Sequence, residues 1–143
     1  MNVETILRTK GSAVATIRPE ETVGVAVKEL ISRNVGALVV SEDGETVDGM
    51  ISERDIVHGL ADHGAALLSL EVAEMMTRRV VTCELSDTVD QLMAEMTNRR
   101  IRHFPVVQDG RLCGIVSIGD VVKNRLDEVE FEAQSMRSFI AGA

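Results

Sequence analysis

The sequence contains the stretch PEETVGVAVKELISRNVGALVVSEDGETVDGMISERDIV at residues 19–57 and a second version of it, ELSDTVDQLMAEMTNRRIRHFPVVQDGRLCGIVSIGDVV, at residues 84–122. Thr22 corresponds to Thr88, 66 positions later, and one residue drops out further on, so that the offset becomes 65. An internal repeat of this length indicates two copies of one small structural unit. Ligands of such arrangements tend to lie in clefts between the halves.

The composition limits the class of protein. Aromatic residues make up 2% of the chain, which predicts an aliphatic core and removes the platforms on which single-stranded nucleic acid stacks. The net charge of −8 argues against nucleic acid and anionic membranes as partners. Cys83 and Cys113 lack metal or redox spacing and are interpreted as small buried hydrophobes. Because the chain shows neither a long apolar run nor a leader, we expect a cytoplasmic protein.

Each copy predicts the order β-α-β-β-α. The first helix begins after Thr22 or Thr88 as N-cap, and its apolar residues recur at helical spacing. An Asp-Gly turn joins the two middle strands of each copy. The predicted strands cover residues 14–17, 36–40 and 47–51, then 80–83, 103–107 and 112–116. The second helix of each copy follows its last strand directly.

The connecting and terminal segments have patterns of their own. Residues 58–70 predict a loop with a short helix, and residues 71–77 another helical turn. A C-terminal helix is expected to continue to about Phe139, longer than the repeat requires, where it packs on its own module, a second subunit or a partner. One helical face looks too apolar for an exposed surface and predicts a homodimer. This face consists of Leu30, Ile31, Val57, Leu92, Met93, Met96 and Val121.

The motif Gly-x-x-Ser-x-x-Asp closes both copies. It comprises Gly49, Ser52 and Asp55 in the first copy and Gly114, Ser117 and Asp120 in the second. One interpretation is a helix cap, in which serine and acid satisfy free backbone N–H groups. The other is a nucleotide site, because a carboxylate can accept hydrogen bonds from both ribose hydroxyls beside a helix N-terminus that favours phosphate. The second interpretation adds to the first without excluding it, and recurrence of the motif in both halves favours it.

The two copies with their motifs resemble a tandem CBS-domain pair, also called a Bateman module, in a stand-alone CBS-domain protein. The resemblance implies an α/β (α+β) fold of two β-α-β-β-α units, related by a pseudo-twofold axis and packed through their sheets. It places the domains at residues 8–64 and 71–128, with a helical extension at 129–143. It also implies adenosine-containing ligands in two clefts, with AMP as first candidate and ADP, ATP, NAD(H) or S-adenosylmethionine as alternatives.

The resemblance assigns residues to each cleft. Cleft 1 comprises Lys10, Ala13, Ala15, Val35, Gly36, Ala37, His103, Ser117 and Asp120. Cleft 2 comprises Ser52, Arg54, Asp55, Thr77, Val80, Ile101 and Arg102. We expect cleft 1 to be the better adenine site, because Gly36 and Ala37 allow a flat base to approach closely.

Positive charge is concentrated near these clefts. The candidates for phosphate contact are Arg78, Arg79, Arg102 and His103. The alternative is that these charges lie on solvent-exposed faces and pair only with neighbours on the same helix. Catalytic or metal-binding patterns do not emerge, since His58 and His63 are five residues apart and lack an acidic partner. The sequence therefore predicts a non-enzymatic sensor in signal transduction, which acts on an unidentified protein partner. The alternatives are a dimerisation scaffold with empty clefts and an enzyme that processes the nucleotide.

Overall fold

The computed structural model describes residues 1–142, which form six α-helices, one 3-10 helix and five strands. The first half contains β1 (Thr16–Ile17), α2 (Val23–Arg33), β2 (Ala37–Val40), β3 (Gly49–Ser52) and α3 (Glu53–His63), preceded by α1 (Val3–Lys10). A 3-10 helix (Gly64–Ser69) and α4 (Val72–Met75) connect the halves. The second half contains α5 (Val89–Arg99), β4 (His103–Gln108), β5 (Arg111–Ser117) and α6 (Ile118–Gly142).

The strands form two small sheets. In the first, β1 lies parallel to β2, and β2 lies antiparallel to β3. The second sheet consists of β4 and β5 alone. The strand predicted at residues 80–83 is wrong as a strand. Only Cys83 pairs, with Val106, and Val80 and Val81 before it line the space between the halves.

The predicted helix starts are confirmed. The Thr22 side chain accepts a hydrogen bond from the backbone N–H of Val25 at 3.2 Å, and the Thr88 side chain accepts one from Gln91 at 3.1 Å. Such caps satisfy backbone donors that the helix itself leaves free. The predicted loop from residue 58 is wrong at its start, because α3 continues to His63 before the 3-10 helix begins.

The two Asp-Gly pairs form different turns. Asp109 and Gly110 both have positive φ, 53° and 77°, as a two-residue hairpin turn requires. In the first half the strand predicted from residue 47 begins only at Gly49. The reason is Asp43, whose Oδ1 accepts the backbone N–H groups of Glu45 and Thr46 at 2.8 Å each and holds this segment as a loop. These backbone hydrogen bonds lower the pKa of Asp43 to about 2.

Each half is completed by a helix that precedes the other half in sequence. Helix α1, which the sequence analysis missed, buries Val3, Ile6 and Leu7 in the core of the second half. Helix α4 buries Val72 in the core of the first half. The expected boundary at residue 8 therefore falls inside a helix, and the domain limits stay predictions.

The sheets face each other across a third apolar cluster. Its buried members are Ala37, Val39 and Met50, packed against residues of both halves that include Val80, Leu112 and Ile115. This arrangement confirms the expected fold class, two mixed units packed through their sheets. It also places the ends of β3 and β5, where the motif serines lie, at the junction of the halves.

The predicted apolar face is largely wrong. Four of its members are buried in the cores, namely Leu30, Leu92, Met96 and Val121. Ile31, Val57 and Met93 are exposed as expected. The C-terminal extension is confirmed as helix through Gly142, and residue 143 lies outside the described residues. Within the described part of the chain, helices long and apolar enough to cross a bilayer are absent.

Candidate functional site

The motif carboxylates cap the helices that follow them. Asp55 Oδ2 accepts hydrogen bonds from the backbone N–H and the hydroxyl of Ser52, at 2.9 and 3.0 Å. Asp120 Oδ2 accepts the same two from Ser117, at 2.8 and 3.0 Å. Each serine hydroxyl in turn accepts the backbone N–H of its aspartate. The capping interpretation thus holds in both copies, and the cap uses Oδ2 of each carboxylate.

The motif glycines allow another segment to cross the strand. A Cβ atom on Gly49 would lie 2.9 Å from the backbone oxygen of Thr77 and 2.7 Å from Met76 Sδ. On Gly114 it would lie 2.7 Å from Leu7 Cδ1, on α1. The glycine therefore brings one residue from outside the motif close to each aspartate. This residue is Thr77 in the first half and Lys10 in the second.

These two residues give the aspartates different partners. Thr77 is held on β3 by two backbone hydrogen bonds with Met50, and its hydroxyl donates to Asp55 Oδ1 at 3.0 Å. The Lys10 ammonium lies 2.6 Å from Asp120 Oδ2 and donates to the backbone oxygen of Ile115 at 2.8 Å. Asp120 is therefore neutralised by an ion pair, whereas Asp55 shares a hydrogen bond with a neutral hydroxyl.

The electrostatics of cleft 1 reflect this ion pair. Burial opposes the charge on Asp120, but hydrogen bonds from Lys10 and Ser117 and the Lys10 charge outweigh it and hold its pKa below the ordinary value. Burial and then the Lys10 charge lower the pKa of His103, so its imidazole is neutral at pH 7.

The residues paired with the motif serines differ in size. On the sheets Ala37 lies opposite Ser52, and His103 lies opposite Ser117. The His103 imidazole lies against Gly36, with Cε1 3.4 Å from where a Cβ atom would stand. Lys10 thus occupies space beside Asp120 and the imidazole lies against Gly36, while the smaller Ala37 stands at the corresponding place opposite Ser52.

One cavity gathers nearly all residues of cleft 2. It has a volume of about 120 Å³ and lies between the halves. Its lining residues are Ala37, Met50, Ser52, Asp55, Thr77, Arg79, Val80, Val81, Ile101, Arg102 and His103. Of the residues assigned to cleft 2, Arg54 is outside the lining. Its Nη1 donates to the backbone oxygen of Arg100 at 3.0 Å and ties α3 to the other half.

The structure does not bring the cleft 1 residues around one cavity. Lys10 and Asp120 line a hollow of about 200 Å³ between α1 and α6. Val35 and Gly36 line an open surface hollow of the first half. Of the other five members, Ser117 is hydrogen-bonded to Asp120, Ala13 is exposed, Ala15 packs on the first core, and Ala37 and His103 line the cleft 2 cavity. The residues assigned to cleft 2 thus meet around one cavity and those assigned to cleft 1 do not, and binding at either cleft stays a prediction.

The candidate phosphate contacts are also divided. Arg79, Arg102 and His103 line the cavity, whereas Arg78 Nη2 donates to the backbone oxygen of Ala73 at 2.9 Å, away from it. Met50 also lines the cavity, and it was not among the predicted site residues. Strand alternation could have identified it, because Met50 lies two residues before Ser52 on β3 and therefore shares its face.

Comparison with known proteins identifies the repeated unit. A family model described as CBS domain matches residues 4–62 and again 72–127, most of the chain. A relative in Arabidopsis thaliana, the CBS domain-containing protein CBSX3, mitochondrial, is 39% identical over 127 residues. That match covers 86% of this chain and 62% of the relative, so the chain spans less than two thirds of the plant protein's length.

Solved structures share the fold. The CBS-domain containing protein ATU1752 from Agrobacterium tumefaciens is 46% identical, with a TM-score of 0.84 over 87% of this chain and 99% of its own. The CBS domain pair of protein MJ0100, in complex with 5′-methylthioadenosine and S-adenosyl-L-methionine, is 28% identical. Its TM-score is 0.78, and the match covers 90% of this chain and 98% of that one.

Proposed function

This chain belongs to the CBS-domain family, and we propose that it is a regulatory module that binds an adenosine-containing ligand in the cavity of cleft 2. The observation that carries the proposal is the set of contacts that Asp55 makes in that cavity. Its Oδ2 accepts the backbone N–H of Ser52 as part of the helix cap, and its Oδ1 accepts one hydrogen bond, from the neutral hydroxyl of Thr77. A carboxylate oxygen can accept two hydrogen bonds. With Thr77 in place, Asp55 Oδ1 can therefore accept one more hydrogen bond, from a ribose hydroxyl. If the Thr77 side chain rotates away, the same oxygen can accept hydrogen bonds from two ribose hydroxyls.

The rest of the cavity suits the other parts of a nucleotide. Ala37, Val80 and Ile101 offer apolar contacts for a base, and Arg79 and Arg102 lie where phosphate can pair with guanidinium groups. MJ0100 is solved with two adenosine compounds, which supports the adenosine class. Two arginines favour phosphate over the positive sulfonium of S-adenosylmethionine. We therefore propose AMP as first candidate, with ADP, ATP and NAD(H) next.

The size of the cavity suggests how binding is signalled. A volume of about 120 Å³ is below the roughly 300 Å³ at which ligand pockets begin, so a nucleoside must widen it. Widening moves the halves apart, since both line the cavity. A ligand that binds the wider state better shifts the population toward it. In our proposal the module acts as a homodimer and passes this change to an unidentified protein partner.

A dimerisation scaffold without ligand is the second candidate function. Lys10 pairs with Asp120 and the His103 imidazole lies against Gly36, so the chain's own side chains already contact residues assigned to cleft 1. Exposed Ile31 and Val57, with 75% and 62% of their surfaces accessible, add apolar area for contact with another chain. In this function both clefts stay empty, and cleft 2 serves only as the joint between the halves.

Thermal unfolding with AMP, ADP, ATP, NAD, NADH and S-adenosylmethionine separates the two functions. A ligand at 100 times its dissociation constant stabilises the fold by about 2.7 kcal/mol, which raises the melting temperature by several degrees. We expect the largest shift for a phosphate-bearing compound and its loss in Asp55→Asn. The matched control is Asp62→Asn, which removes an exposed charge from the same helix.

The protein is first unfolded and refolded to remove copurified nucleotide. If its melting temperature then stays flat across the whole panel at millimolar ligand, the ligand-binding function is rejected and the scaffold remains.

A further inference from the structure

Helix α6 carries an exposed apolar stripe with heptad spacing. The residues follow one another at alternating steps of four and three: Val122, Leu126, Val129, Ala133, Met136 and Ile140. Leu126, Met136 and Ile140 expose 63%, 67% and 71% of their surfaces. Steps of four and three repeat every seven residues, which is the spacing of the a and d positions of a coiled coil.

The stripe does not face the body of its own molecule. The face of α6 that packs inward begins with Val121, which is 1% exposed, and continues through Asn124 and Glu128. Asn124 Nδ2 contacts Met1 Sδ at 3.0 Å, and Glu128 lies 3.9 Å from the Met1 amino group. The stripe lies about a third of a turn around the helix from this face. Most of it also lies beyond residue 127, where the family match ends.

The charges beside the stripe indicate the partner and its direction. With Leu126 at position a, the flanking g positions are Arg125 and Glu132, and the e positions are Glu130 and Arg137. In a parallel pair each g residue faces the e residue five positions later on the other helix. Arg125 then meets the partner's Glu130, and Glu132 meets the partner's Arg137. Both pairs have opposite charges.

The antiparallel arrangement brings like charges together. When two copies of the stripe overlap fully in opposite directions, Glu130 faces the partner's Glu130, and Glu132 faces the partner's Glu132. Like charges at these positions disfavour an arrangement. The sequence of α6 is thus complementary to itself in one direction only.

We propose that the C-terminal part of α6 pairs with the same helix of a second copy as a parallel two-stranded coiled coil. This inference rests on the homodimer proposed above, names its surface and does not depend on ligand binding. A parallel pair places the twofold axis along the stripe, consistent with closed twofold assembly. Because α6 starts at the Ser117 and Asp120 cap, the coiled coil continues directly from cleft 1.

Sedimentation equilibrium tests the surface. We expect the wild-type chain to sediment as a dimer, and Val129→Glu with Met136→Glu to raise the dimer dissociation constant about 100-fold or more, since carboxylates would enter an apolar seam. The matched control, Gln134→Glu with Ser138→Glu, adds the same charge to the opposite face and should leave the dimer intact. Both side chains of the stripe variant are exposed in the single chain, so its melting curve should keep its shape.

A monomeric wild type, or a dimer that both variants leave unchanged, would overturn the proposal. Retained ligand binding in the stripe variant separates this outcome from failure of the proposed ligand site.

A single introduced cysteine tests the direction. In a parallel pair Leu126→Cys faces its own copy at an a position and should form a covalent dimer on mild oxidation. In the overlapped antiparallel pair the same residue faces the partner's Met136, and a cross-link should not form. The wild-type protein measures the background from Cys83 and Cys113. A dimer in which Leu126→Cys stays uncross-linked would refute the parallel arrangement.

Discussion

The two motif aspartates have almost the same cap and different surroundings. Their hydrogen bonds to Ser52 and Ser117 agree within 0.1 Å, because the repeated motif builds each helix start by itself. The difference comes from outside the motif, where Thr77 reaches one carboxylate and Lys10 the other. A repeat therefore keeps the local cap, while the crossing segment decides which further partner the carboxylate has.

One position on each sheet also makes the surroundings of the two aspartates different. Ala37 and His103 occupy corresponding places opposite the motif serines, and the larger side chain lies on the side that the ammonium already occupies. The two asymmetries act together, one through charge and one through volume. Only the cavity beside Asp55, among the described residues, gathers most of the residues assigned to one cleft.

Alanine at the two motif glycines should give the largest difference between the halves. A Cβ atom on Gly49 meets the backbone of Thr77, which cannot move without breaking its pairing with Met50. On Gly114 it meets the end of the Leu7 side chain, which can rotate. We expect Gly49→Ala to lower the free energy of unfolding by about 1–3 kcal/mol and Gly114→Ala by less than about 1 kcal/mol. Denaturant unfolding measures both, and equal losses would contradict the structural difference.

Removing the Lys10 ammonium should make the halves more alike. In Lys10→Met combined with His103→Ala, Asp120 loses its ion pair and the space beside it opens. We expect calorimetric titration with the ligand of cleft 2 to give about two sites per chain instead of one. Arg8→Met is the control, because Arg8 pairs only with Glu4 on the same helix among the described contacts. If the number of bound ligands per chain does not change, then other groups besides Lys10 and His103 prevent binding at cleft 1.

The smallest effect is the pH dependence of the ion pair. The pKa of Asp120 is lowered in the folded state, so its stabilisation is present above the unfolded pKa of about 3.9 and is lost as pH falls through the folded value. Lys10→Met should therefore be less stable than wild type by about 1 kcal/mol at most at pH 7. The gap should begin to narrow as the pH falls below about 4. Denaturant titrations from pH 7 down to about pH 2 test this, and a gap of constant size across that range would show that it comes from lost packing.

The sequence was sufficient to predict the structural features that occur in both copies of the repeat, but not those that occur in one copy only. The caps at Thr22, Thr88, Ser52 and Ser117 follow from local chemistry and were predicted at the right residues. The single bridge at Cys83, in place of a predicted strand, and the packing of α1 on the second half were not predicted, because each depends on contacts with a distant part of the chain.

The candidate site shows the same division. All residues assigned to cleft 2 except Arg54 line one cavity, yet the sequence ranked cleft 1 first. That ranking considered the approach of a base to Gly36. It did not include the side chain of His103 against that glycine or the partner that Lys10 finds 110 positions along the chain.

The most direct test of the central claim is a pair of calorimetric titrations with the nucleotide that gives the largest thermal shift. Asp55→Asn should weaken binding about 10- to 100-fold, since it removes a charged acceptor of ribose hydroxyls. Asp120→Asn should change the affinity by about twofold or less, because that carboxylate is already paired with Lys10. Equal losses, or a larger loss in Asp120→Asn, would contradict the assignment of the ligand to the cavity beside Asp55.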